Sequence, residues 1–63
     1  MKVTLISEDF RDGMQVDWPA IPRAGEFVSL RHIDGTAQYV VDGVEYACDT
    51  NGVLTEVRID LDA

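Results

Sequence analysis

The sequence predicts an all-β fold: a small barrel or curled antiparallel sheet of about five strands, folded as a single β domain over residues 1–63. Three observations predict it. Asp12-Gly13, Asp34-Gly35, Asp42-Gly43 and Asn51-Gly52 divide the chain. Asp or Asn before Gly favours tight turns, because such turns need φ > 0, which Gly adopts freely and Asx tolerates. Between these dipeptides, apolar and polar residues alternate in runs rich in β-formers. No window carries apolar residues at helical spacing behind a cap, so no helix is expected.

The N-terminal segment Val3–Phe10 reads as a strand. A three-residue loop Arg11-Asp12-Gly13, with Gly13 left-handed, pairs Phe10 with Met14, Glu8 with Val16 and Ile6 with Trp18. A two-residue loop would set Val16 against Asp9, so the longer loop is preferred. Pro19 and Pro22 end the returning strand, since proline fixes φ and cannot donate to a ladder. Residues 19–25 form a constrained connector, and Gly25 releases the chain into a strand starting at Glu26.

With Asp34-Gly35 as a two-residue hairpin loop, His32 opposes Ala37, Leu30 opposes Tyr39, and Val28 opposes Val41. Arg31 with Gln38 and Ser29 with Val40 then occupy the other face. With Asn51-Gly52 as a loop, Thr50 opposes Val53, Cys48 opposes Thr55, Tyr46 opposes Val57, and Val44 opposes Ile59. On the opposite face Ala47 meets Glu56 and Glu45 meets Arg58, an opposite-charge cross-strand pair. The two hairpins agree on which residues point inward. They meet at Asp42-Gly43, where the inward step from Val41 to Val44 is three residues rather than two. One inserted residue that preserves facing marks a β-bulge, so a long bent strand over about residues 36–49 is expected. A third tight turn at Asp42-Gly43 is the alternative. A bent central strand lets a small sheet curl toward a barrel.

Residues 21–30, Ile-Pro-Arg-Ala-Gly-Glu-Phe-Val-Ser-Leu, followed by Tyr39-Val-Val and Val44-Glu-Tyr46, resemble the middle of SH3-like small barrels. The same stretch resembles short bacterial and phage proteins in which a Pro-x-x-Gly-Glu-x-Val entry precedes a Tyr-x-Val strand. The resemblance covers about residues 19–62 and implies architecture, not activity. The polyproline-binding surface of SH3 domains does not carry over, because no acidic, aromatic-studded loop matches its pattern.

A 63-residue chain buries only about 60% of the surface its unfolded form exposes, so a lone monomer is marginal and burial against a partner or another copy would help. Cys48 is the single cysteine. It allows neither an intrachain disulfide nor a zinc site built on several cysteines, and it fits a reducing cytoplasm. The apolar run Val3–Ile6 is too short for a secretory segment, and no stretch approaches a membrane span. A soluble, cytoplasmic protein without membrane partners is expected. The net charge of −7, from 12 acidic and 5 basic residues, repels phosphate backbones and argues against direct nucleic-acid binding. It keeps a small β-protein soluble, and it would also attract a basic protein surface.

Candidate chemical sites fail on pattern. Asp49, Asn51 and Gly52 imitate part of an EF-hand loop, but Ala47 and Arg58 occupy positions that need acidic ligands, so no metal is expected. His32 lacks a patterned nucleophile or orienting carboxylate and reads as a half-exposed strand-end residue. Cys48 falls on the inward face beside acidic Asp49 and Glu45, which opposes reactivity. Asp60 and Asp62 alternate with Ile59 and Leu61 as a solvated face does, not as paired glycosidase carboxylates. No Gly-rich phosphate loop occurs, and Arg11, Arg23, Arg31 and Arg58 are dispersed. Neither an enzyme nor a cofactor is expected.

Aromatic residues remain as handles. Tyr39 and Tyr46 are expected in the core. Phe27 and Val40 fall on the opposite face and form a candidate protein-binding patch. Trp18, beside Pro19, either caps the core or anchors a partner. The expected function is a non-enzymatic protein-interaction or structural module, with self-association as a dimer as one form of it. The alternative is an acidic inhibitor of phage type that mimics nucleic acid and blocks a basic groove on a partner.

Overall fold

The computed structural model describes residues 2–62, with the His32 side chain outside the description. The exposure expected for that side chain therefore lies outside the described residues. Five strands form, β1 (Lys2–Ser7), β2 (Phe10–Asp17), β3 (Phe27–His32), β4 (Gly35–Cys48) and β5 (Leu54–Asp62), with no helix among the described residues. They make one sheet in the order β2-β1-β5-β4-β3, curled into a half-barrel. The sheet is mixed rather than wholly antiparallel. β1 and β5 run parallel, with Val3 beside Val57 and Leu5 beside Ile59. Those residues, with Val28, Tyr39, Val41 and Leu61, are the buried core.

The β4–β5 hairpin has the expected register over its middle: Val44 with Ile59, Glu45 with Arg58, Tyr46 with Val57 and Ala47 with Glu56. The extra residue at Asp42-Gly43 is also present, as a register shift between Val41 and Gly43 within one continuous strand. Near the turn the expectation fails. Cys48 opposes Leu54 instead of Thr55, and Thr50 does not pair with Val53. The Asp49 carboxylate accepts the N–H groups of Asn51 (2.8 Å) and Val53 (3.0 Å). Gly52 N–H donates to Asp49 O at 3.0 Å, and Asp49 N–H donates to Val53 O at 2.9 Å. Thr50, Asn51 and Gly52 thus form a longer loop with Gly52 left-handed at φ 78°. Side-chain bonds from Asp49 stabilise that loop over the two-residue turn.

In the β3–β4 hairpin the faces are as expected but the register is not. Leu30 opposes Ala37, Val28 opposes Tyr39 and His32 opposes Gly35, with the turn at Ile33-Asp34. A two-residue slip leaves every side chain on its expected face, so alternation alone does not distinguish the two. The connector extends this pairing: Gly25 N–H donates to Val41 O, and Val41 N–H to Glu26 O, each at 2.8 Å.

The first hairpin differs most. Its turn is Glu8-Asp9, and Leu5 opposes Met14 while Val3 opposes Val16. The pairs Phe10–Met14, Glu8–Val16 and Ile6–Trp18 do not form. This register sets Val3 and Leu5 opposite apolar partners, and Ser7 Oγ accepts the Asp9 N–H at 3.0 Å to close the turn. Gly13 is left-handed as expected, at φ 92°, but in an irregularity within β2 instead of a loop. A Cβ there would lie 2.7 Å from Thr4 Cγ2.

β2 and β3 are the two edge strands, and residues 18–26 join them. Trp18 and Ile21 on this connector pack against the core. The half-barrel's two ends approach where Phe10 of β2 meets Tyr39 of β4 edge to face, with ring centroids 5.7 Å apart at 72°.

Candidate protein-docking edge

The strands differ in length, and this difference creates the site. β4 has 14 residues, while β3 has 6. β3 pairs with β4 only from Gly35 to Val40, and β1 pairs with β5 only from Val57 to Asp60. Among the described residues, Val44–Cys48 therefore pair only with β5, and Leu54–Glu56 only with β4. This hairpin end projects beyond the rest of the sheet. At about 3.3 Å per residue β4 spans about 46 Å, comparable with the longest molecular extent of 43 Å.

Tyr46 and Cys48 were expected in the core, and both are exposed. Tyr46 is 58% exposed although its cross-strand partner Val57 is 0% exposed. Both share the concave face, but strand β1 reaches the hairpin beside Val57 and nothing in the described chain covers Tyr46. Leu54, opposite Cys48, is exposed as well, as is Val53 at the tip. The other face of the hairpin is polar. Arg58 lies 3.6 Å from Glu45 and 3.4 Å from Glu56, and Thr4 Oγ1 donates to Glu56 at 2.9 Å.

The backbone of this segment has a free side. Asp49 N–H points to the β5 side, where it bonds Val53 O just before that strand, and Ala47 O points the same way, accepting Thr55 Oγ1 at 3.1 Å. Backbone groups alternate in direction along a strand. Val44, Tyr46 and Cys48 therefore turn their N–H and C=O groups away from β5, toward the open edge. The direction of Val41 toward β3 agrees, because the extra residue at Asp42-Gly43 switches the alternation.

Of the residues singled out in the sequence, Phe27 and Val40 are brought together as direct cross-strand partners on the convex face, with Phe27 70% exposed and Val40 half-buried. Trp18 is half-buried and packs on the core. Tyr46 and Leu54 were missed as surface candidates. The signal that identifies them is the expected strand over residues 36–49, too long for its neighbours to cover.

A concavity of about 460 Å³ lies between the β1–β2 and β3–β4 turns, lined by Asp9, Phe10, Asp34, Thr36 and Tyr39 among others. Tyr39 Oη donates to Asp9 Oδ2 at 2.7 Å. This bond, then burial and the Asp9 charge, raises the Tyr39 phenol above its ordinary value, with the Ser7 hydroxyl opposing. Among the described residues no group of three or more His, Cys, Asp or Glu side chains is placed to hold a metal ion. The EF-hand-like Asp49 spends its carboxylate on backbone N–H groups instead.

Comparison with family models, with curated proteins and with solved structures gives no match to this chain.

Proposed function

We propose that this protein works by binding rather than by chemistry, as a small interaction module that docks an extended protein segment along the free edge of β4. The observation that carries this reading is Tyr46, exposed on the apolar face of a strand paired on one side only. An open strand edge offers unpaired backbone donors and acceptors to an incoming strand, and the flanking apolar side chains supply burial. Tyr46, Cys48 and Leu54 offer that burial here. The single exposed thiol suits a reducing cytoplasm.

The test is selection from a random peptide display library, followed by amide chemical-shift mapping. Selected peptides should perturb Val44–Cys48 and Leu54, and Tyr46→Asp should abolish their binding. Ligands that map to Phe27 and Val40, or elsewhere, would overturn the assignment of the edge.

The groove bearing Asp9 and Asp34 favours a second reading, an acidic inhibitor of phage type that receives basic side chains of a partner's groove. Binding by that route would fade in moderate salt, because exposed charges are screened beyond a Debye length of about 8 Å at physiological ionic strength. Docking on the β4 edge would persist.

A further inference from the structure

We infer that the segment docked on this edge is β4 of a second copy, paired antiparallel about a two-fold axis at Tyr46. The inference rests on the edge being a docking site, and it names the occupant. A two-fold contact requires a surface complementary to itself. An edge strand meets that requirement when a register exists that opposes no like charges.

Three registers set the edge-facing residues Val44, Tyr46 and Cys48 opposite one another in more than a single pair. An axis at Glu45 sets Glu45 opposite the copy's Glu45. An axis at Ala47 sets Glu45 opposite the copy's Asp49. Both juxtapose carboxylates, which is destabilising directly across strands. An axis at Tyr46 sets Glu45 opposite Ala47, Val44 opposite Cys48, and Tyr46 opposite itself. Only this register keeps the acidic side chains apart and the apolar ones together.

The backbone selects the same axis. Val44, Tyr46 and Cys48 are the residues whose N–H and C=O groups face the open edge. With Tyr46 on the axis they meet one another as hydrogen-bonded pairs, each exchanging both backbone bonds with its opposite residue. With the axis at Glu45 or Ala47, Val44 meets Tyr46 or Tyr46 meets Cys48. Those registers leave only two such pairs within Val44–Cys48 in place of three, so the backbone favours the Tyr46 axis as the carboxylates do. The charge on each Glu45 is also held back toward its own Arg58, 3.6 Å away on the convex face. The concave faces of the two copies join, so that Tyr46 and Leu54 of each extend one apolar surface. So short a contact falls at the small end of specific interfaces, below about 1,200 Å² in total, and a weak, reversible dimer is expected.

The test combines sedimentation equilibrium with a register-specific cross-link. The wild-type chain should dimerise reversibly on raising concentration from micromolar to millimolar. Tyr46→Asp, which sets two carboxylates on the axis, should weaken association about tenfold or more. Val44→Cys should form a disulfide-linked dimer through the native Cys48 under mild oxidation. Opposed residues of a hydrogen-bonded pair lie about 5.5 Å apart, within disulfide reach. Wild-type Cys48 should not cross-link at a comparable rate, because the two native thiols lie four positions out of register. Val44→Cys also tests the register if Tyr46→Asp fails to fold. A wild-type chain monomeric at millimolar concentration would overturn the second copy as occupant, as would a dimer indifferent to Tyr46→Asp. Equal cross-linking of the wild type and Val44→Cys would overturn the register. If the chain stays monomeric while displayed peptides still bind at Val44–Cys48, the docking edge stands and its partner is a different protein. If peptides also miss the edge, both readings fall.

Discussion

Tyr39 on β4 donates its hydroxyl to the Asp9 carboxylate in the β1–β2 turn, 2.7 Å away, across a sheet in which β1 and β5 separate β2 from β4. Beside it Phe10 packs edge to face on the same tyrosine ring. These contacts hold the two ends of the half-barrel together without any ladder between them. The bond requires the protonated phenol, and this sets the first expectation. The hydrogen bond to Asp9 raises the folded-state pKa of Tyr39 above the ordinary value of about 10. A raised folded pKa means stability that is complete below the unfolded value and is lost as pH rises through the folded one. Urea midpoints should therefore fall above about pH 10. In Tyr39→Phe, which starts from lower stability, that alkaline decline should shrink.

Core packing sets a second expectation. Ile59 is fully buried between β1 and β4, while Tyr46 one pair further along the same face is exposed. Ile59→Ala should cost about 2–5 kcal/mol, a large part of the roughly 3–9 kcal/mol expected for a chain of this size. Tyr46→Ala should change monomer stability by no more than about 1 kcal/mol. Denaturant titrations at low concentration, where association is negligible, separate the two.

At Gly13 conformation and space act together. Alanine there carries the left-handed φ of 92° and brings its Cβ 2.7 Å from Thr4 Cγ2. Left-handed backbone alone costs about 1–2 kcal/mol for a residue with a Cβ. Thr4 cannot rotate away freely, because its hydroxyl donates to Glu56. Gly13→Ala should therefore destabilise more than Gly52→Ala, which has a left-handed φ and open space around it. Adding Thr4→Ser, which deletes the clashing methyl, should restore part of the difference in thermal midpoint.

Asp49 organises the β4–β5 loop through its bonds to Asn51 and Val53. Asp49→Ala should lower stability by about 1 kcal/mol, near the worth of a net hydrogen bond. Asp49→Asn, which keeps an acceptor, should lose less. Calcium should leave both midpoints unchanged, since the carboxylate is already committed to the backbone.

Among the described side chains, sequence alone determined which ones share a face along Val28–Ala47 and Glu56–Leu61. It also determined the pairing of Val44–Ala47 with Glu56–Ile59 and the extra residue at Asp42-Gly43. Alternation and like-with-like pairing carry that information locally. Three features were decided only by the tertiary structure. The β3–β4 register was one, because a two-residue slip is invisible to a period-two pattern. The Glu8-Asp9 turn and the parallel β1–β5 pair were another, because the burial of Val3 and Leu5 depends on which distant strand arrives beside them. The last was the candidate edge itself. Tyr46 has the pattern of a core residue, and it is exposed because burial is a property of what covers a side chain: β3 stops short of it, and β1 lies on the far side of β5.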